Sequence, residues 1–244
     1  MTQKPQDPFT LLDNGAEQIL YHSEFLTEAP LLCFESEFWS GQNKVIGSAQ
    51  GRGTTWFVQG EKLAMALRHY RRGGLFGKLV ADSYWFTGWQ NSRSVAELRL
   101  LQLLSAGGVN VPRGIAARTQ RTGLTYHADI LVEKVAGAKD LVGLLQQSAI
   151  TGDLWASIGQ MIKKMHLLEV CHTDLNAHNI LIDQAQQVWL IDFDKCYQKR
   201  GHNWQGGNLA RLQRSFIKER GKRQIHFNDE NWQALLKGYH DGVR

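Results

Sequence analysis

The densest run of chemistry in the chain is His172-Thr173-Asp174-Leu175-Asn176-Ala177-His178-Asn179, followed at once by ILI, then by VWLI and Asp192-Phe193-Asp194. The short apolar runs at 179–182 and 188–191, separated by DQAQQ, read as a β-hairpin. Asp174 and Asn179 then enter the first strand and Asp192 leaves the second, so a hairpin returns all three oxygen donors to one end. Magnesium takes a few hard oxygen ligands and leaves its other sites to water and phosphates, so a carboxylate and an amide at that edge suit Mg-nucleotide. The second carboxylate is left to act on a hydroxyl. Each residue also has a plainer alternative: a capping or turn Asp174, an Asx-turn Asn179, a hairpin-exit Asp192. Independent turns have no reason to preserve both spacings.

The H-x-D-x-x-x-x-N pattern with a D-F-x motif eighteen positions from Asp174 to Asp192 resembles the catalytic and metal-binding loops of the protein-kinase-like phosphotransferases. This resemblance implies that Asp174 is the catalytic base, that Asn179 binds a second magnesium ion and that Asp192 binds the magnesium bridging the phosphates. Upstream, Gly51-Arg52-Gly53-Thr54-Thr55-Trp56-Phe57-Val58 occupies the place of a glycine-rich loop, where missing side chains let backbone N–H groups approach phosphate. Trp56 stands at the third glycine position, and a plain hairpin turn accounts for the same residues. The following AMALR resembles the V-A-I-K strand, with Arg68 in place of lysine, a change that alters the geometry of phosphate contact. Glu97 in SVAELRLLQLL is positioned to be its ion-pair partner, although Ser94-x-x-Glu97 also reads as a helix-capping box. Glu133 is counted with Gly51, Gly53, Arg68 and Glu97 among the nucleotide-contacting positions. GGLFGK is not a Walker motif, because only three residues separate Gly73 from Gly77 and Leu79 follows Lys78.

The elements that must position these residues follow from pattern. Residues 31–80 read as short strands punctuated by glycine: LLCF, then KVIGSAQGRGTTWFVQG, then LAMALRHY. A helix is predicted at 94–105, stopped by Gly107-Gly108 and Pro112, and a strand at 124–133. Leu154, Ile158, Met161, Ile162, Met165 and Leu168 form a helical stripe over 153–168. Two further helices carry Leu209, Leu212 and Phe216, and Trp232, Leu235, Leu236 and Tyr239. Strands with one helix, then mainly helices around a small hairpin, predict an α+β, bilobal, protein-kinase-like fold with a small C-terminal lobe. The expected division is a β-rich nucleotide-binding lobe at 1–133 and a mainly helical catalytic lobe at 134–244.

Composition bounds the remaining choices. At 244 residues with 43% hydrophobic and 21% charged residues, the chain can bury a core without staples. Three widely spaced cysteines without a CxxC suggest neither a disulfide framework nor a zinc site, and fit a reducing cytoplasm. The N-terminal MTQKPQDPFTLLDNG lacks a signal-peptide core, and no uncharged apolar stretch approaches the roughly 18 residues of a membrane span. The formal charge of +5 is concentrated: residues 195–223 hold nine Lys or Arg against one acid, Glu219. Such a run suits an anionic partner, and it equally suits a solvated helix face.

Departures from the protein-kinase pattern narrow the acceptor. Thr173 replaces the arginine of H-R-D, Asn176 replaces the lysine two positions after the base, and Asp194 replaces the glycine of D-F-G. No A-P-E sequence follows, and 52 residues after Asp192 are too few for a peptide-docking lobe, so no protein substrate is expected. GRGTTWF, ALRHYRRGG, HTDLNAHNILID, VWLIDFDK and RLQRSF together resemble the bacterial lipopolysaccharide kinase family over most of the chain. The resemblance implies ATP-dependent phosphorylation of the 4-hydroxyl of 3-deoxy-D-manno-octulosonic acid (Kdo) in Kdo-lipid A or its lipid IVA precursor. It also implies Mg2+ and a peripheral location on the cytoplasmic side of the inner membrane. Arg71, Arg72, Lys195, Arg211 and Arg214 are then the candidates for meeting the acceptor's carboxylate and phosphates, near an anionic leaflet that attracts basic residues. Trp85, Phe86 and Trp89 are candidates for interfacial contact or for core. Three alternatives stay open: a kinase of another small molecule, which needs an acidic pocket if its acceptor is cationic; a nucleotide-binding pseudokinase; and a nucleic-acid binder, for which no recognition motif is present.

Overall fold

The computed structural model describes residues 7–51, 53–71 and 82–241. They form an α+β protein that divides into two compact units, Met1–Arg99 with Arg113–Lys134, and Leu100–Pro112 with Val135–Arg244. The first unit is built on an antiparallel sheet of β1 (Thr10–Asp13), β2 (Glu17–Tyr21), β3 (Val45–Gln50), β4 (Thr54–Gln59), β5 (Ala64–His69), β6 (Tyr84–Trp85), β7 (Gly114–Thr122) and β8 (Thr125–Glu133). Its order is β1-β2-β7-β8-β5-β4-β3, with β6 paired to the start of β8.

Successive side chains of a strand point to opposite faces. Ile19 and Leu20 of β2, and Ala116 and Ala117 of β7, accordingly enter two separate apolar clusters. One cluster is closed by Leu26, Cys33, Phe34 and Trp39, around the short helix α1 (Ser36–Ser40). Trp39 is fully buried and donates its indole N–H to the Cys33 carbonyl at 2.7 Å. The strand expected at LLCF is therefore a turn, in which Leu32 and Cys33 both donate backbone N–H groups to Ala29 O. Leu31 and Leu32 are exposed while Cys33 and Phe34 are buried, a pairwise pattern that suits a turn and not an alternating strand. On the other face, helix α2 (Arg93–Ala106) lays Val95 and Leu98 against Leu20 and Ala117.

The second unit contains β9 (Lys139–Asp140), α3 (Leu141–Gln147), α4 (Gly152–Leu167), β10 (Val170–Cys171), β11 (Ile180–Ile182), β12 (Val188–Leu190), β13 (Tyr197–Gln198), α5 (Gln205–Arg223) and α6 (Asp229–Asp241). The apolar stripe of α4 is buried as its periodicity predicts, from Leu154 to Met165. Its N-terminus is capped by Thr151, whose hydroxyl accepts from Leu154 N at 3.2 Å. Two glycines let α4 and α6 touch backbone to backbone. A Cβ on Gly159 would lie 2.0 Å from Leu235 O, and one on Gly238 would lie 2.0 Å from Ala156 O, so even a methyl group needs the helices to separate. The predicted hairpin is formed by β11 and β12, with Ile180 opposite Leu190 and Ile182 opposite Val188, and β9 on the outer edge of β11. Among the described residues, no helix is long and apolar enough to cross a membrane.

Candidate active site

The loop between β10 and β11 is clamped at both ends to a single residue, Ile191. His172 is fully buried, and its Nε2 donates to Ile191 O at 3.0 Å while its Nδ1 accepts from Asp174 N at 3.3 Å. A carbonyl partner requires the proton on Nε2, so a neutral ring satisfies both contacts. Burial lowers the His172 pKa and favours that neutral form. At the other end, Ile191 N donates to Asn179 O at 3.0 Å. Ile191, which accepts one of these bonds and donates the other, immediately precedes Asp192, so Asp174, Asn179 and Asp192 are brought to one end of the hairpin.

Asp174 is held through its backbone, and Asn179 through its amide nitrogen. The Asp174 carbonyl accepts from Asn176 Nδ2 at 2.9 Å and from Asn179 Nδ2 at 3.0 Å, while its carboxylate is 57% exposed. With its amide nitrogen on a carbonyl, the buried Asn179 turns Oδ1 away, and that oxygen accepts no hydrogen bond among the described residues. The Asx turn considered for Asn179 belongs instead to Asn176, whose Oδ1 accepts from His178 N at 2.9 Å. Asp192 has a left-handed backbone (φ 63°), a conformation that costs most side chains energy and is tolerated best by Asn and Asp. Phe193 is buried against the His172 ring at 4.9 Å and anchors the turn.

In the first unit, β5 carries Arg68, whose Nη2 lies 2.6 Å from each carboxylate oxygen of Glu97 on α2. Glu97 is 4% exposed and also accepts from the Tyr70 hydroxyl at 2.5 Å. Removing one partner of such a buried pair leaves an uncompensated charge, at a cost of about 3–5 kcal/mol. The capping-box alternative is not adopted. Ala96 N bonds to Ser92 O, which starts the helix two residues before Ser94, and the Ser94 hydroxyl donates to Arg118 O at 2.9 Å.

The glycine-rich segment is the β3–β4 turn, with Gln50 opposite Thr54 and Gly51 N donating to Gly53 O at 2.9 Å. Trp56 is already the third residue of β4, half-buried against the sheet core, so the reversal is complete before the third glycine position. The Arg71 side chain crosses Gly53: a Cβ there would lie 3.0 Å from Arg71 Cδ. Glu133 closes β8, its N–H on Arg113 O at 2.8 Å and its carboxylate accepting from Arg113 N at 3.3 Å. Arg52, Arg72 and the GGLFGK segment lie outside the described residues.

The basic segment separates into distinct roles. Arg211 on α5 is 3.5 Å from Asp174 Oδ1, and Arg223 pairs with the buried Glu219 at 3.0 Å. Lys195 and Arg214 are exposed, and Arg220, Lys222 and Arg223 fill the last turn of α5, where cations complement the helix dipole. Sequence reasoning missed a second network on β5: His69 lies opposite Asp129 of β8, 2.7 Å from its carboxylate, which also takes the Arg118 Nε–H at 2.9 Å. The Asp129 hydrogen bond raises the His69 pKa. The cross-strand register, rather than anything local to LRHY, creates that contact. His166 of α4 is a second residue that the sequence pattern does not single out. It is fully buried between Tyr239 and Asn208, and desolvation lowers its pKa to about 4, so it is neutral at physiological pH.

A β-sheet unit with a strand-to-helix Arg–Glu pair, and a helical unit whose H-x-D loop is tied to a D-F turn, together define a protein-kinase-like phosphotransferase. The fold is similar to that of a solved structure described as "WaaP in complex with acyl carrier protein", with a TM-score of 0.58 and 15% identity over 83% of this chain and 82% of that one. Residues 36–239 match the family described as "Lipopolysaccharide kinase (Kdo/WaaP) family", and the chain belongs to that family. It is 63% identical to the 3-deoxy-D-manno-octulosonic acid kinase of Photobacterium damsela subsp. piscicida, over 93% of this chain and 95% of that protein. The correspondingly named protein of Photobacterium profundum is 60% identical over 91% and 94%, and that of Vibrio cholerae 56% over 93% and 96%.

Proposed function

We propose that this chain is a Kdo kinase that transfers the γ-phosphate of ATP to the 4-hydroxyl of Kdo, in Kdo-lipid A or its lipid IVA precursor. The observation that carries this reading is the 63% identity, over nearly the whole of both chains, with a protein named as a Kdo kinase. The two expected lobes, 1–133 and 134–244, are assigned to nucleotide and to chemistry respectively.

In the nucleotide lobe, the backbone of Gly51 and Gly53 approaches the phosphates, Arg68 contacts them while held by Glu97, and Glu133 closes the nucleotide-contacting set. In the catalytic lobe, Asp174 accepts the proton of the attacking hydroxyl. Phosphoryl transfer is catalysed chiefly by positioning and charge neutralisation, which suits a loop whose backbone is locked and whose carboxylate is exposed. Mg2+ fits the donor set at this end of the hairpin: the Asn179 Oδ1 and the Asp192 carboxylate are hard oxygens, and Asn179 has its amide nitrogen committed elsewhere. Bound there, the ion would neutralise phosphate charge, and Asn179 and Asp192 would hold it.

The acceptor carries a carboxylate and phosphates, and Arg71, Arg72, Lys195 and Arg214 are assigned to them. A peripheral site on the inner membrane suits the same charge. Trp85, 69% exposed, and Leu124, 71% exposed, project side by side where Phe86 N bonds to Leu124 O at 2.9 Å, while Phe86 packs on Trp89. An exposed Trp beside an exposed Leu suits the bilayer interface. Cosedimentation with anionic vesicles is expected at low salt and should weaken steeply as salt screens the basic residues; equal binding to neutral vesicles at high salt would contradict an electrostatic attachment. The activity itself is tested by incubating the protein with labelled ATP, magnesium and Kdo-lipid IVA. Label should enter this acceptor and not lipid IVA lacking Kdo; equal labelling of both removes Kdo as the acceptor.

A further inference from the structure

We propose that Arg211 is the phosphoryl-binding cation of the transfer site, supplying from helix α5 the positive charge that the catalytic loop itself lacks. The inference rests on the kinase reading above. The loop position two residues after the base is Asn176, which is neutral and fully engaged: Nδ2 donates to Asp174 O and Oδ1 accepts from His178 N, both at 2.9 Å. It holds the loop's shape and brings no charge.

Arg211 reaches the base by construction. Residues 208, 211 and 215 share one face of α5, because helical neighbours recur at three- and four-residue spacing. Asn208 Oδ1 accepts from His172 N at 3.2 Å, and Ser215 Oγ accepts from Ala177 N at 3.0 Å. These two bonds pin the helix to the loop on either side of Asp174, and Arg211 lies between them with Nη1 3.5 Å from Asp174 Oδ1. Leu212 and Phe216, beside this face, are fully buried and fix the helix against the core.

The pair is poorly suited to a stabilising role. The two side chains are 49% and 57% exposed, and ion pairs this exposed contribute little to folding. A contact of 3.5 Å is also too long for a bidentate clamp. Guanidinium carries five N–H donors, so Arg211 can face the carboxylate and an incoming phosphate together.

In the transfer, the acceptor hydroxyl oxygen bonds to the γ-phosphorus and the bond from that phosphorus to the β–γ bridging oxygen breaks, its electron pair leaving with ADP. The hydroxyl proton passes to Asp174. Arg211 donates to the γ-phosphoryl oxygens throughout and keeps the carboxylate beside the nucleophile. Its charge acts most strongly where charge redistributes, so its loss should appear in kcat and not in acceptor binding.

The test compares Arg211→Ala and Arg211→Lys with the parent protein, using Mg-ATP and Kdo-lipid IVA. For Arg211→Ala, kcat should fall about a hundredfold, with acceptor KM and melting temperature nearly unchanged; Arg211→Lys should recover a large part of kcat. A kcat for Arg211→Ala close to the parent's, or a defect confined to acceptor KM, overturns the proposal and returns Arg211 to an acceptor contact. The parent protein separates the two readings: if it transfers no phosphate to Kdo-lipid IVA the acceptor assignment fails, whereas transfer by the parent with an unimpaired Arg211→Ala variant counts against Arg211 alone.

Discussion

Asp174→Ala is expected to lower kcat by about 10²- to 10⁴-fold, the range for loss of a general base, while leaving Mg-ATP affinity nearly intact. The structure separates this effect from misfolding. The loop is held by the Asp174 backbone carbonyl, which accepts from both Asn176 and Asn179, and by His172 and Asn179 on Ile191. The carboxylate is exposed and contributes only an ion pair to Arg211, so truncation should cost no more than about 1 kcal/mol of stability. Steady-state kinetics with an independent nucleotide titration are the check. Turnover equal to that of the parent protein removes Asp174 from the base role.

Asp192→Asn is expected to weaken magnesium-dependent nucleotide binding by at least about tenfold. Even the groups that merely orient metal ligands are worth about 10- to 100-fold in metal affinity, and a direct ligand should matter no less. Asparagine is the informative replacement because Asp192 sits at φ 63°, which Asn tolerates almost as well as Asp. The substitution then removes charge without unbending the turn that Phe193 anchors. Calorimetric titration of ATP with and without magnesium distinguishes the cases: the defect should appear only when magnesium is present. Unchanged Mg-ATP affinity would exclude Asp192 as a ligand.

Much of this site was legible because its chemistry is contiguous. The H-x-D-x-x-x-x-N loop, the hairpin and the D-F turn lie within one stretch, so spacing alone brings their ends together. Arg68 and Glu97 are further apart, yet a strand followed by a helix places them in a recognisable order, and the 2.6 Å pair is found. Arg211 entered the sequence reading as one of five basic candidates for meeting the acceptor. Its position at Asp174 depends on Asn208 and Ser215, polar side chains that resemble an ordinary solvated face until their backbone partners are known.

The same limit applies to the fold. β7 was overlooked because GIAARTQRT has weak strand character of its own, and it is a strand because β2 and β8 pair with both its edges. The β1–β2 hairpin had a usable signal in Asp13-Asn14-Gly15, with Gly15 at φ 85° in the turn. The role of Gly159 and Gly238 emerges only where two helix backbones meet.

The central claim concerns where the phosphate goes. Product made from Mg-ATP and Kdo-lipid IVA should be isolated and the new ester located by proton–phosphorus correlation in NMR. Coupling of the added phosphorus to the proton on carbon 4 of Kdo is the predicted result. The added phosphorus on a glucosamine of the lipid, or ATP consumed with no new phosphate on the Kdo, would contradict it.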